Sequence, residues 1–368
     1  MNRSTSGRDK PRIAVVLTNL GGPDSPGAVQ PFLFNLFNDP AIVGLPGMVR
    51  TPLARLIARR RAPTARDIYA RMDGRSPIVP LTERQAAALE KALAGDDGGE
   101  MRVFIAMRYW HPRAEETVRA VKEFAPHAVV LLPLYPQFST TTTASSSREW
   151  KRESQRAGLT APLSEICCYP LENHFLDAHV QLLKEALDKR GAEPGRVLFS
   201  AHGLPERTVT RRGDPYPWQV EQGCAAIAGR LGLEDWAVCY QSRVGPLKWI
   251  GPSTEEEIRR AGQEGKGVVL TPIAFVSEHS ETLVELDIEY RHLAEASGVP
   301  WYVRVPALGE SPEFIAGLAA LVRRALNTPG GVLSHEGGRI CPAEARGCPN
   351  FRKGAGTETG LKKRGTGA

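Results

Sequence analysis

Three stretches of the chain hold residues whose chemistry a fold would have to use. His202 stands in Ser200-Ala201-His202-Gly203-Leu204-Pro205, at the end of an apolar run. An imidazole leaving a buried strand can take up protons near pH 7 or ligate a borderline metal; it can equally be a satisfied structural residue. A phosphohistidine nucleophile would ordinarily follow an arginine, and here the preceding residue is Ala201. The second stretch runs Ser277-Glu278-His279-Ser280-Glu281 and on through Glu285 and Glu289. Glutamates four residues apart form one slowly drifting row on a helix and repel one another by a few tenths of a kcal/mol per pair. Leu283, Val284, Leu286 and Ile288 occupy the other faces, and no lysine or arginine lies in the segment. A buried acidic row needs protons or a cation to be tolerable. The alternative is an exposed stripe paired to bases elsewhere.

The third stretch, about 32–75, mixes large apolar side chains with arginine. It opens Phe32-Leu33-Phe34-Asn35-Leu36-Phe37, and from Met48 to Arg75 eight arginines face only Asp67 and Asp73, a net of +6. Such a segment suits a flat, anionic, apolar ligand or an anionic lipid surface; the plainer reading is a solvated basic helix face. No nucleic-acid-binding signature accompanies it.

These residues must be positioned by the elements between them. Eight apolar runs, 13–20, 103–110, 128–136, 163–170, 196–203, 236–242, 267–276 and 301–308, each end in a loop and alternate with helical patterns. Continuous runs of this kind are parallel strands buried on both faces, which predicts an α/β fold of two Rossmann-like halves, each a four-stranded sheet flanked by helices. Leu17–Pro23 parallels Phe199–Pro205, and Val129–Leu134 parallels Val268–Ile273, so the halves are expected to be alike and to face each other across a cleft. Ligands of open α/β sheets bind beyond the carboxyl ends of the strands. The expected divisions are a disordered 1–10, a first half 11–165 carrying the 32–75 lip, a second half 166–327 carrying the acidic row, and a Gly-rich, mostly disordered tail 328–368. The last helix of the second half is allowed to pack on the first.

With 368 residues, 42% hydrophobic, 24% charged and a net charge of +6, the composition is that of an ordinary globular protein. The first ten residues lack the apolar centre of a signal peptide. The longest mostly apolar run, Ala128–Phe138, is far shorter than the ~18 residues of a membrane span. Six cysteines without a C-x-x-C pair read as reduced thiols of a cytosolic chain.

Together these residues resemble the ferrochelatase family, which inserts Fe²⁺ into protoporphyrin IX. The resemblance covers nearly all of 11–327 and rests on several long motifs in order: LTNLGGPDSP (17–26), MRYWHP (107–112), LPLYPQFSTTTTASS (132–146), FSAHGLPERTV (199–209), YQSRVGPLKWIGPST (240–254) and TPIAFVSEHSETLVELDIEY (271–290). It implies a lyase of haem biosynthesis, with His202 and Glu281 contacting metal, Glu278 at an acidic entrance beside His279, and Glu285 and Glu289 continuing a partly π-helical row for protons or metal. It further implies that Leu20, Arg108, Tyr109 and Trp249 line a porphyrin pocket, and that the apolar lip touches the inner face of a membrane in the cytoplasm. Porphyrin preference is left open, with coproporphyrin or another tetrapyrrole as the alternative and a non-catalytic tetrapyrrole-binding protein as the alternative of another class. Some relatives carry a [2Fe–2S] cluster on four cysteines. Here Cys341 and Cys348 match that spacing in part, Asn350 stands at the next position, and Thr140 stands at the mid-chain cysteine of animal members. Cys167 or Cys168 could substitute, yet four thiolates are the usual requirement, so no cluster is expected.

Overall fold

The structure, a computed structural model, describes residues 11–95, 99–189, 194–243 and 247–351. Each apolar run becomes a strand. β1 (Arg12–Asn19), β2 (Glu100–Met107), β3 (Ala128–Pro133) and β4 (Leu163–Cys168) are parallel in one sheet; β5 (Gly195–His202), β6 (Trp236–Gln241), β7 (Gly267–Pro272) and β8 (Tyr302–Arg304) are parallel in a second. The order is β2-β1-β3-β4 in the first and β6-β5-β7-β8 in the second, so β5 stands where β1 stands and the second half repeats the first. The helices are α1 (Val29–Phe37), α2 (Gly47–Ala70), α3 (Ile78–Leu93), α4 (Ala114–Phe124), α5 (Thr143–Ala157), α6 (Asn173–Asp188), α7 (Glu206–Arg212), α8 (Tyr216–Leu231), α9 (Thr254–Gln263), α10 (Tyr290–Ala296) and α11 (Pro312–Asn327).

Side chains alternate across each strand, and both faces are covered. Ile13, Val15 and Leu17 of β1 share one core with Val197, Phe199 and Ala201 of β5, joined by residues of α3, α6, α8 and α11. The intervening Ala14 and Val16 meet Val118, Val121 and Trp150 of α4 and α5, and Leu198 meets Ile258 and Ala261 of α9. This double covering is why the strands read as unbroken apolar runs. Where a helix or ring approaches closely, a glycine makes room: a Cβ on Gly267 would lie 1.9 Å from Trp301 Cε2.

The C-terminal tail departs from expectation. β9 (Gly331–Ser334) pairs in parallel with β4 and makes the first sheet five-stranded, and Leu333, Cys341, Ala345 and Cys348 are buried. The unpaired edge of β4 offers backbone donors and acceptors that four residues can satisfy without any hydrophobic pattern. Residues 329–351 are therefore structured, and the disorder expected of the tail is corrected to that extent; residues 1–10 and 352–368 lie outside the described residues. β4 also continues through Cys168, so the division expected after residue 165 falls inside a strand. α11 packs against α3, β3 and β4 of the first half as well as α6.

Candidate active site

The site forms because β5 and β7 are adjacent and parallel, Ser200 lying opposite Pro272, so their carboxyl ends emerge together. His202 ends β5. The chain after β7 turns through Ser277–Ser280 into a π-helix, Glu281–Glu289, closed by an i→i−5 bond from Tyr290 N–H to the Glu285 carbonyl. Widened turns of this kind cluster at functional sites. His202 Nδ1 and Glu281 Oε2 are 2.9 Å apart. Locally the turn is held by Glu281 N–H donating to His279 Nδ1 at 3.2 Å and by His279 N–H donating to the Thr282 hydroxyl at 2.9 Å. The other half of the molecule holds it as well. Gln85 of α3, 1% exposed, donates to the carbonyls of Val276 and Gly309 at 2.9 and 2.7 Å and accepts from the Ser277 hydroxyl at 2.9 Å.

The acidic row runs outward from this pair. Glu285 accepts from Ser242 N–H (2.8 Å) and Oγ–H (2.5 Å), from Gln241 Nε2 (3.2 Å) and from the Tyr290 hydroxyl (2.9 Å). Glu289 is exposed and lies 3.6 Å from Arg71 at the end of α2. Glu278 takes a different course: Arg304 donates to it at 2.6 Å and Ala307 N–H at 2.9 Å, while Arg304 also binds Asp287. The arginines therefore reach Glu278, Asp287 and Glu289, and leave Glu281 and Glu285 to a histidine and to neutral donors.

The electrostatics follow from that division. Burial pushes the Glu281 carboxyl up, but the charge and hydrogen bond of His202, then His279 and the Ser242 hydroxyl, bring it down to about 2. Burial pulls His202 down, but the charge and hydrogen bond of Glu281 and the charge of Glu285 lift it above its ordinary value. Glu285 is raised by burial and by Glu281, against the bonds from Ser242 and Tyr290. Burial lowers His279, whose backbone-bonded Nδ1 makes it a neutral acceptor. Proximity and charge thus combine a base, an acid and a charge row in one place. His202 and Glu281 provide two metal donors, and among the described residues no group of three or more His, Cys, Asp or Glu is arranged to hold a metal ion. Two donors suit an ion in transit better than a resident one.

The remaining expected residues divide. Trp249 lies against the loop that follows His202: it bridges to Pro205, and a Cβ on Gly203 would be 3.4 Å from its ring. Leu20 packs beneath α1 and α2 with Phe34, Phe37 and Trp110. Arg108 and Tyr109 turn their polar atoms inward. Both reach Asp39 Oδ2 at 2.8 Å, Arg108 also lies 3.1 Å from Glu149, and Tyr109 is 2% exposed. They fasten the α1–α2 connection to the end of β2. Residues not singled out from sequence are Gln241, Ser242, Arg304, Gln85 and Tyr69. Tyr69 of α2 is buried, hydrogen-bonds Ser280 and is pushed up to about 12, by burial first and by the Glu281 charge, so the lip helix reaches across to the acidic turn. Only Gln241 and Ser242 carried a signal, at the mouth of β6 within the long motif 240–254.

Four of the six cysteines, Cys167, Cys168, Cys341 and Cys348, gather in one buried region. A bulge in β4 between Ile166 and Cys168 brings Cys167 and Cys168 Sγ within 3.3 Å, and Cys341 hydrogen-bonds Cys348. Amides occupy two of these sulfurs, however. Gln219 donates to Cys341 at 3.1 Å and Asn350 approaches Cys167 at 3.8 Å, while Thr140 donates its N–H and hydroxyl to Asp214.

The pattern that defines the ferrochelatase family matches residues 12–326. A ferrochelatase of Caulobacter vibrioides (strain NA1000 / CB15N) is 56% identical over 347 residues, 94% of this chain and 99% of that protein. One of Rickettsia bellii (strain OSU 85-389) is 45% identical over 348 residues, 93% of this chain and 96% of that one. In fold the chain is similar to the sirohydrochlorin chelatase SirB from Bacillus subtilis subspecies spizizenii in complex with cobalt, with a TM-score of 0.51 at 11% identity, covering 86% of this chain and 96% of that one. A histidine–glutamate pair at the ends of adjacent strands, a glutamate row on a π-helix and this match along almost the whole sequence have one explanation: the chain belongs to the ferrochelatase family.

Proposed function

We propose that His202 and Glu281 are the centre at which Fe²⁺ and two pyrrole protons exchange, in a chelatase whose porphyrin is protoporphyrin IX delivered at a membrane surface. The enzyme is a porphyrin metal chelatase, a lyase of haem biosynthesis with porphyrin and Fe²⁺ as substrates. The observation that carries the residue assignment is the 2.9 Å His202–Glu281 pair backed by Glu285 without an opposing base. Within the pair each partner favours the other's charged form, imidazolium and carboxylate. A protonated imidazole cannot accept a pyrrole proton. A dication arriving at Glu281 offsets the charge that lifts His202, so the imidazole releases its own proton toward Glu285 and is then free to accept one from a pyrrole nitrogen. Glu285 and Glu289 then form the route by which protons leave or metal enters. Glu278, fixed by Arg304, shapes the entrance and holds the turn. Trp249 and Leu20 are the apolar contacts with the macrocycle, and Arg108 and Tyr109 support the lip from beneath.

No helix among the described residues is long and apolar enough to cross a membrane. The lip instead exposes Met48 (93%), Val49 (53%) and Leu56 (46%), with Arg55 and Arg61 stacked on Phe34 and Phe37. Apolar tips among cations suit the anionic inner face of a cytoplasmic membrane and favour a poorly soluble porphyrin. We read the chain as working without an iron–sulfur cluster; intense visible charge-transfer bands in protein purified anaerobically would overturn that. Anaerobic incubation with Fe²⁺ and either protoporphyrin or coproporphyrin, following loss of free-base fluorescence, tests the reading. Binding without metal insertion would leave a carrier, and faster turnover of coproporphyrin would replace the substrate.

A further inference from the structure

We propose that Ser242 is a positioning residue that holds Glu285 oriented as the second station of the metal path. This rests on the reading that Glu281 and Glu285 carry the incoming ion. Ser242 follows β6 with φ +59°, a left-handed backbone uncommon for a residue with a side chain. That conformation turns its N–H and its hydroxyl the same way, onto Glu285 at 2.8 and 2.5 Å. Gln241, 1% exposed, fixes the platform: it accepts from the Ser200 hydroxyl at 2.8 Å and donates to the Glu281 carbonyl at 2.9 Å. The strand end that neighbours His202 is thereby tied to the first turn of the π-helix.

The contrast with Glu278 shows what such a device accomplishes. Arg304 holds Glu278 and cancels its charge. Ser242 holds Glu285 with neutral donors, which orient a carboxylate and leave its charge available to a cation. A glycine would satisfy the left-handed backbone more cheaply; the hydroxyl is what serine adds.

The test uses the full-length enzyme with Fe²⁺ under anaerobic conditions. Ser242→Gly keeps the backbone conformation and the N–H donor and removes the hydroxyl. The expected result is an apparent KM for Fe²⁺ raised about tenfold, the worth of one charge-assisted hydrogen bond, with porphyrin KM and melting temperature unchanged. Ser242→Asn, which tolerates the left-handed backbone and carries a donor, should recover part of the loss and stands in should the glycine variant fold poorly. In a Glu285→Gln background, Ser242→Gly should add less than it does alone, the remainder reflecting the hydroxyl's contact with Glu281. An unchanged Fe²⁺ KM, metal and porphyrin KM rising together, or full additivity with Glu285→Gln would overturn the role. Failure of the site reading is distinguishable: Glu285→Gln alone would then leave the Fe²⁺ KM untouched, whereas an impaired Glu285→Gln beside an intact Ser242→Gly refutes the positioning role alone.

Discussion

His179 gives the molecule an acid sensitivity that can be worked out in advance. It lies on α6, 2% exposed, with neither ring nitrogen hydrogen-bonded within the described protein and its ring edge-on to Phe175 at 4.8 Å. Burial pulls the imidazole from 6.5 down to about 3. The unfolded chain therefore binds a proton first as pH falls, and stability drops from pH 6.5 downward until the native imidazole titrates near 3. At pH 5.0 the unfolded state is almost fully protonated at this site and the native state is not, a loss of about 2 kcal/mol; the whole interval corresponds to about 5 kcal/mol. His179→Leu has similar volume and does not titrate. Urea unfolding of both proteins at pH 7.5 and 5.0 should show the native protein losing about 2 kcal/mol more than the variant over that range. At pH 7.5 the variant should be at least as stable, since it leaves no unpaired nitrogen in the core. Equal losses in the two proteins would refute the argument, because every other titrating group is shared.

The remaining expectations concern the site. His202→Ala should lower metal insertion on the order of a hundredfold to ten-thousandfold, as loss of a general base does, with the melting temperature nearly unchanged; near-normal turnover would remove the assignment. Glu281→Gln should abolish most insertion while porphyrin still quenches tryptophan fluorescence on binding, and loss of binding would make the glutamate structural. Since Glu281 lifts His202 against burial, the NMR titration midpoint of His202 should fall in Glu281→Gln, and the acid limb of any residual activity should move to lower pH with it; a rise would contradict the pairing. Met48→Asp with Leu56→Asp should weaken sedimentation with anionic vesicles and leave turnover in detergent intact.

Strand positions were legible because they depend on a local property. A parallel strand covered on both faces must be apolar at every position, and the run 13–20 became Arg12–Asn19 almost residue for residue. Two runs overshot at prolines, which cannot donate to a ladder: β3 ends at Pro133 and β7 at Pro272; others overshot without one, β2 ending at Met107 and β8 at Arg304. β9 was invisible for the opposite reason. Four residues in a glycine-rich tail carry no pattern, and their pairing exists only because β4 has a free edge.

The glutamate row and the histidine at a strand end were also legible, since both are matters of residue type and spacing along the chain. What the row does was not. Which carboxylates are neutralised depends on Arg304 and Arg71, distant in sequence, and on the turn of Ser242 into a left-handed conformation that no neighbour dictates. Arg108 and Tyr109 illustrate the same limit, their polar ends drawn to Asp39 nearly seventy residues earlier. Periodicity and composition determine where the backbone goes, because burial acts on each residue separately. The choice of partner for a charge belongs to the folded chain alone, because Coulomb energy and desolvation depend on distances that only tertiary packing creates.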